Sequence, residues 1–174
     1  MRKYGIASEL DSLTKTRITQ AAAWLVNGRK SGLFLCGYPG TGKTTLANAI
    51  CNLIMTIHDS PLLSEQKRIY RASASQLVEW KLSTKGETEF DKYKKTEMLS
   101  IDDLGIEPIT AKLYGNESTP IIDLLYYRYD WRLFTIITSN LDEQGLDTMY
   151  GPRIADRFRE MFDRIAYTNA SYRK

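Results

Sequence analysis

The segment Gly37-Tyr38-Pro39-Gly40-Thr41-Gly42-Lys43-Thr44 constrains the fold more than any other part of the chain. It follows Leu33-Phe34-Leu35-Cys36, a short run apolar enough to be a strand buried on both faces. It precedes a stretch that places Leu46, Ile50, Leu53, Ile54 and Ile57 on one helical face. Strand, glycine-rich loop and helix in that order make a phosphate-binding unit, and the pattern G-x-x-x-x-G-K-[ST] is met by Gly37, Gly42, Lys43 and Thr44. Backbone N–H groups of such a loop converge on phosphate oxygens, and the positive end of the following helix dipole adds to them. Gly37, Tyr38, Pro39, Gly40, Thr41, Gly42, Lys43, Thr44 and Thr45 are therefore the candidate nucleotide-binding residues, with ATP and Mg²⁺ as the expected cofactors. Lys43 is assigned to the β- and γ-phosphates and the Thr44 hydroxyl to Mg²⁺. Lys43 is expected to stand exposed, its charge reserved for phosphate.

A nucleoside triphosphate needs its metal positioned by an acid at the end of a neighbouring strand. Met98-Leu99-Ser100-Ile101 reads as that strand and ends at Asp102-Asp103. Asp102 is the candidate that holds Mg²⁺ through water; Asp103 either orients the attacking water or is a structural carboxylate. Related ATPases mostly place the longer Glu there, so hydrolysis is expected to be slow. The run Leu133 to Thr138 is a further strand, and Asn140 at its tip is a candidate sensor of the γ-phosphate or a cap of the following turn. Arg153 and Arg157 lie four apart, hence on one helix face. With Asp156 they form surface ion pairs or, in an oligomeric ATPase, present an arginine finger, for which Arg157 is the choice.

The remaining periodicities fill in the fold. Leu13 to Asn27 is an amphipathic helix with Ile18, Ala22, Leu25 and Val26 inward, stopped by Gly28. Arg68–Arg71 reads as a strand, Ser75 to about Leu82 as a helix capped by Ser75, and Glu87 to Glu97 as a charged helix after Gly86. Gly105 to Thr119 reads as a long loop, Ile121–Tyr129 and Arg153–Phe162 as helices, and Ile165–Tyr167 as a last strand. Strands alternating with helices imply an α/β fold whose sheet is mostly parallel and covered on both faces. At 174 residues one domain is expected. No apolar run reaches the roughly 20 residues needed to span a bilayer, so a cytoplasmic location without membrane contact is expected. Cys36 and Cys51 read as buried thiols, and a single histidine, His58, gives no support to a histidine metal site or a Ser/His/Asp triad. The net charge of +3 permits an anionic partner without requiring one.

The ordered set G-Y-P-G-T-G-K-T-T with A-I-C-N, S-I-D-D-L-G, I-I-T-S-N, G-P-R-I-A-D-R-F and the terminal S-Y-R resembles the AAA+ ATPases of the bacterial DnaC-type helicase-loader group. The resemblance implies a P-loop NTPase (AAA+) fold over residues 1–174, a five-stranded sheet between helices with no separate helical lid domain. It implies Asp102 and Asp103 as Walker B acids, Asn140 as sensor 1, Arg157 as arginine finger and Arg173 as a second arginine sensor on the nucleotide. Residues from about 73 to 97 match the helical insertion of loaders and initiators, which shapes a spiral assembly and lies near single-stranded DNA. Trp80, Lys81, Lys85, Lys92, Lys94 and Lys95 fall within it, balanced by Glu79, Glu87, Glu89, Asp91 and Glu97, so DNA contact and a solvated face both stand. Loaders carry a further N-terminal domain that grips the replicative helicase, whereas only a short segment, residues 1–12, precedes the first helix here. The implied function is an ATP-hydrolysing switch that oligomerises on single-stranded DNA with a replicative helicase as partner. A transposase-assisting ATPase of the IstB type, a small-molecule P-loop kinase and an adaptor with negligible turnover are the alternatives.

Overall fold

The computed structural model describes residues 10–58, 68–83, 86–113 and 116–172. Helix α1 (Ser12–Asn27) is capped by Asp11, whose carboxylate accepts from the Thr14 N–H at 2.9 Å, and strand β1 (Gly32–Gly37) runs into the glycine-rich loop. There follow α2 (Lys43–His58), β2 (Ile69–Ser73), α3 (Ala74–Leu82), α4 (Glu87–Lys95) and β3 (Met98–Leu104). A short hairpin of β4 (Ala111–Leu113) and β5 (Asn116–Ser118) leads to α5 (Pro120–Asp130) and β6 (Phe134–Ser139). The chain continues through α6 (Glu143–Tyr150), α7 (Pro152–Met161) and β7 (Phe162–Tyr167).

The main sheet has five strands in the order β2-β3-β6-β1-β7, every neighbouring pair parallel. All five strands therefore end at one edge, where the glycine-rich loop after β1 meets the tips of β3 and β6. Side chains of β1 alternate between two cores, as the pleat requires. Leu33 and Leu35 join Trp24 of α1 and Ile50, Cys51 and Ile54 of α2 on one face. Phe34 and Cys36 join Leu77, Phe90, Leu124, Ile154 and Phe158 on the other. Both cysteines are buried free thiols, and burial pushes the Cys36 thiol up to about 11.

Several local expectations are corrected. The inward face of α1 is Arg17, Ala21 and Trp24; Ile18 and Val26 are 41% and 82% exposed. The helix offers two helical stripes, and the chosen one lets the Trp24 ring lie 5.0 Å from Phe134 while its indole N–H reaches the Lys30 carbonyl at 3.0 Å. On α2 the buried set is Ala47, Ile50, Cys51 and Ile54, with Leu53 and Ile57 half exposed. The cap of α3 is Ser73, in a reciprocal capping box with Gln76, not Ser75. The expected loop after β3 contains the β4–β5 hairpin, and α6 is an additional helix, capped by Asp142 accepting from the Gly145 N–H at 2.8 Å. Gly145 weakens the helical signal of that segment, yet it packs so closely that a Cβ there would lie 3.1 Å from Leu141. Among the described residues no helix is long and apolar enough to cross a membrane.

One buried cation ties the α3–α4 segment to the core. Arg128 of α5 has no exposed surface and donates to the carbonyls of Lys94 (3.2 Å), Thr96 (2.9 Å) and Phe134 (2.7 Å) and to Thr135 Oγ1 (2.8 Å). It thereby serves the carbonyls that the C-terminal end of α4 leaves without helical partners.

Candidate active site

The loop after β1 is shaped by close backbone approach. Gly37 has φ 128°, and a Cβ there would lie 2.1 Å from the Tyr167 carbonyl oxygen of β7. Only glycine fits both demands. The Tyr38 N–H donates to that same carbonyl at 3.0 Å, and the Tyr172 N–H donates to the Gly40 carbonyl at 2.9 Å, so the segment after β7 closes over the loop. Thr41 is buried and its hydroxyl donates to the Tyr38 carbonyl at 2.7 Å.

Lys43 is only 5% exposed, contrary to the exposed lysine expected from the motif. Its ammonium donates to the carbonyls of Gly37 (2.8 Å) and Tyr38 (2.7 Å) and to Asn140 Oδ1 (2.9 Å). A buried ammonium must spend its donors, and the carbonyls facing into the loop are the acceptors within reach. Asn140 is thus brought to Lys43, and the cap of the following helix is Asp142 instead.

Thr44 and Asp102 also meet. The Thr44 hydroxyl donates to Asp102 Oδ1 at 2.9 Å, and the Thr138 hydroxyl donates to the same oxygen. Where β3 leaves register with β6, between Ile101 and Leu104, the strand bulges at Asp102-Asp103. Asp103 takes φ 53°, a left-handed conformation that Asp tolerates better than most side chains, and its N–H donates to Thr138 Oγ1 at 3.0 Å. Asp103 lines the cleft at the loop, while Asp102 lines an adjoining recess with Thr44, Asn48 and Ser73. Hydroxyl and carboxylate oxygens side by side are the donor chemistry that Mg²⁺ takes, with waters and phosphate oxygens filling the remaining positions.

A cleft of about 620 Å³ is lined by the loop residues Pro39 to Leu46, by Asp103 and Asn140, and by Arg17, Ile18, Tyr167 and Tyr172. Arg157 is not among its walls. Its guanidinium lies 4.2 Å from the Tyr126 ring centre and 4.6 Å from that of Tyr129, and its Nη1 is 3.6 Å from Asp130. Asp156 pairs with Arg159 at 3.2 Å, while Arg153 is exposed. Arg173 and Lys85 lie outside the described residues. In the 73–97 segment Trp80 packs on Tyr93 with ring centres 4.8 Å apart, and Lys81, Lys92 and Lys95 pair with Glu87, Glu89 and Asp91. That face is an ion-paired one, and its tryptophan is spent on packing.

Thr138, Arg17, Tyr167 and Tyr172 are site residues that sequence reasoning missed. Thr138 carried a signal, a hydroxyl one residue pair before the Asn140 strand tip; the others reach the cleft only through tertiary contacts.

The chain is similar in sequence and fold to known proteins. Residues 33–106 match the ATPase family associated with various cellular activities (AAA). The chain is 30% identical over 142 residues to the replicative helicase loader DnaC of Buchnera aphidicola subsp. Schizaphis graminum, an overlap of 76% of this chain and 52% of that protein. Its identity to the replicative helicase loader DnaC of Escherichia coli K12 is 28% over 142 residues, with the same 76% and 52% coverage. The chain thus spans about half the length of the curated relatives it matches. Among solved structures, DnaI superposes with TM-score 0.67 at 26% identity, covering 93% of this chain and 88% of that one. A DnaC helicase loader superposes with TM-score 0.69 at 20% identity, covering 91% and 92%.

Proposed function

We propose, for a chain that belongs to the AAA+ P-loop ATPases and is related to the DnaC-type helicase loaders, that it is an ATP-driven switch working with DNA. The observation that carries the proposal is the meeting of Lys43, Asn140 and the Thr44–Asp102 pair at one mouth between β1, β3 and β6. Bound triphosphate would draw the Lys43 ammonium from the neutral oxygens of Gly37, Tyr38 and Asn140, because a charged acceptor makes the stronger hydrogen bond. Asn140, released from Lys43, would then face the γ-phosphate or the attacking water. Thr44 and Asp102 would hold Mg²⁺, which when bound neutralises charge developing on the phosphate oxygens. Asp103, held at the lip of the cleft by its backbone bond to Thr138, would orient a water towards the γ-phosphorus so that the β–γ bond breaks and ADP leaves. Its short side chain supports slow turnover.

The relatives' name, replicative helicase loader, supports a replicative helicase as the partner. Assembly of copies on single-stranded DNA, with Arg157 supplied to the adjacent copy, completes the reading, and residues 73–97 would be the helical insertion of a single AAA+ unit. The test is ATP hydrolysis measured with and without single-stranded DNA, alongside the mass of the assembly in each state. Slow hydrolysis that changes with DNA, together with a larger mass in ATP and DNA, is expected. An unchanged monomer mass with phosphate transfer to a small acceptor would replace the switch by a kinase.

A further inference from the structure

Helix α1 brings to the cleft a buried cation that the phosphate chemistry leaves unused. Arg17 is 6% exposed, its guanidinium carbon lies 3.9 Å from the centre of the Tyr167 ring, and Nη2 donates to Asn169 Oδ1 at 2.7 Å. Nη1 is buried without a hydrogen-bond partner, and among the described residues no other buried side-chain nitrogen or oxygen is in that position. A buried charged donor that no protein acceptor matches is costly, so an acceptor on a bound molecule is the partner that would offset the cost. The ring contact balances part of the charge but offers no acceptor to an in-plane N–H.

The position of Arg17 says what the acceptor is. The phosphates belong at Lys43 and Thr44, the first two residues of α2. The cleft continues past them to Leu46 and Ala49, roughly one to two turns further along α2, where Ile18 and Tyr172 supply the facing surface. That end is apolar and aromatic, suited to the face of a purine ring and unsuited to a phosphate. We propose that Arg17 reads the nucleoside end of the nucleotide, donating Nη1–H to a ring nitrogen or a ribose oxygen while its stem and Tyr167 hold it in place. It is then a specificity-determining residue of the site. The inference rests on the nucleotide-binding reading above.

The experiment compares Mg²⁺-ATP with Mg²⁺-tripolyphosphate, a ligand that has phosphates and no nucleoside. Arg17→Met keeps the apolar stem and removes the donor; it should weaken ATP by roughly tenfold to a hundredfold and leave tripolyphosphate unchanged. Retained tripolyphosphate binding also shows that the loop is still folded. If Arg17→Met loses both ligands, Arg17→Lys, which preserves a buried cation, must still show the selective loss of ATP for the proposal to stand. ATP affinity unchanged in either variant, or parallel loss of both ligands in both variants, overturns it. The unmodified chain separates this from the larger reading: should it bind neither ligand, nucleotide binding itself fails, whereas binding both equally rejects only nucleoside recognition by Arg17.

Discussion

Lys43 holds its own loop together besides the phosphate role proposed for it. Its ammonium bonds the carbonyls of Gly37 and Tyr38, sharing the second with the Thr41 hydroxyl. Lys43→Ala should therefore abolish ATP binding and also destabilise the protein by about 1–3 kcal/mol, the cost of buried carbonyls losing a charged donor. For a chain this long that is a fall in melting temperature of roughly 2–10 °C, read in a thermal melt beside an ATP titration. An unaltered melt with unaltered affinity would reject both roles. The two carboxylates next along divide differently. Asp103→Asn keeps a side chain that accepts left-handed φ, so fold and Mg²⁺-ATP binding should survive while hydrolysis is suppressed. Asp102→Asn can still accept from Thr44 and Thr138 but loses the charge beside the metal position, so Mg²⁺ affinity should drop roughly 10–100-fold. Identical behaviour of the two variants in metal titration and turnover would refute that division.

At the scale of elements, the α4 helix depends on a residue from α5. Burial disfavours the Arg128 charge, pushing its pKa down to about 9, yet the guanidinium is surrounded by acceptors including the carbonyls of Lys94, Thr96 and Phe134. Bonds from a charged donor are worth about 1.5–3 kcal/mol each, so they offset part of the burial cost, and removing the guanidinium would leave these buried acceptors unmatched. Arg128→Met should cost about 2–4 kcal/mol in denaturant unfolding, with α4 amides losing hydrogen-exchange protection first. Because the folded pKa lies below the unfolded one, the group is protonated in both states below about pH 9 and contributes no pH dependence there. Above that, proton release from the folded state first makes stability rise with pH. A penalty that varies between pH 6 and 8, or protection of α4 that outlasts the core strands, would contradict the assignment.

At the scale of the whole molecule, the parallel sheet gathers loop, acids and Asn140 at one edge but leaves Arg157 outside its own cleft, stacked on Tyr126 and Tyr129. A finger supplied between copies makes activity depend on association. Specific ATPase activity should rise with protein concentration, and Arg157→Ala should lower it by up to about 10³–10⁵. Mixing Arg157→Ala with Lys43→Ala, each inactive for a different reason, should restore partial activity, since a mixed contact pairs an intact loop with an intact arginine. Demonstrated association without recovery would assign Arg157 to its aromatic contacts alone.

What the sequence by itself determined was local. The P-loop, the strand tips ending in Asp102-Asp103 and Asn140, and the alternation of strands and helices follow from spacing within a few residues, where backbone geometry and turn chemistry act directly. Choices between near-equal local options were made by tertiary packing. Both stripes of α1 are amphipathic enough to be buried, and the contact of Trp24 with Phe134 selects one. Lys43 turns inward because the loop folds its carbonyls towards it, and the bulge at Asp103 exists because β6 offers the Thr138 hydroxyl. Arg17 enters the cleft only once β7 sets Tyr167 beneath it, a contact across 150 residues whose partners no local pattern names.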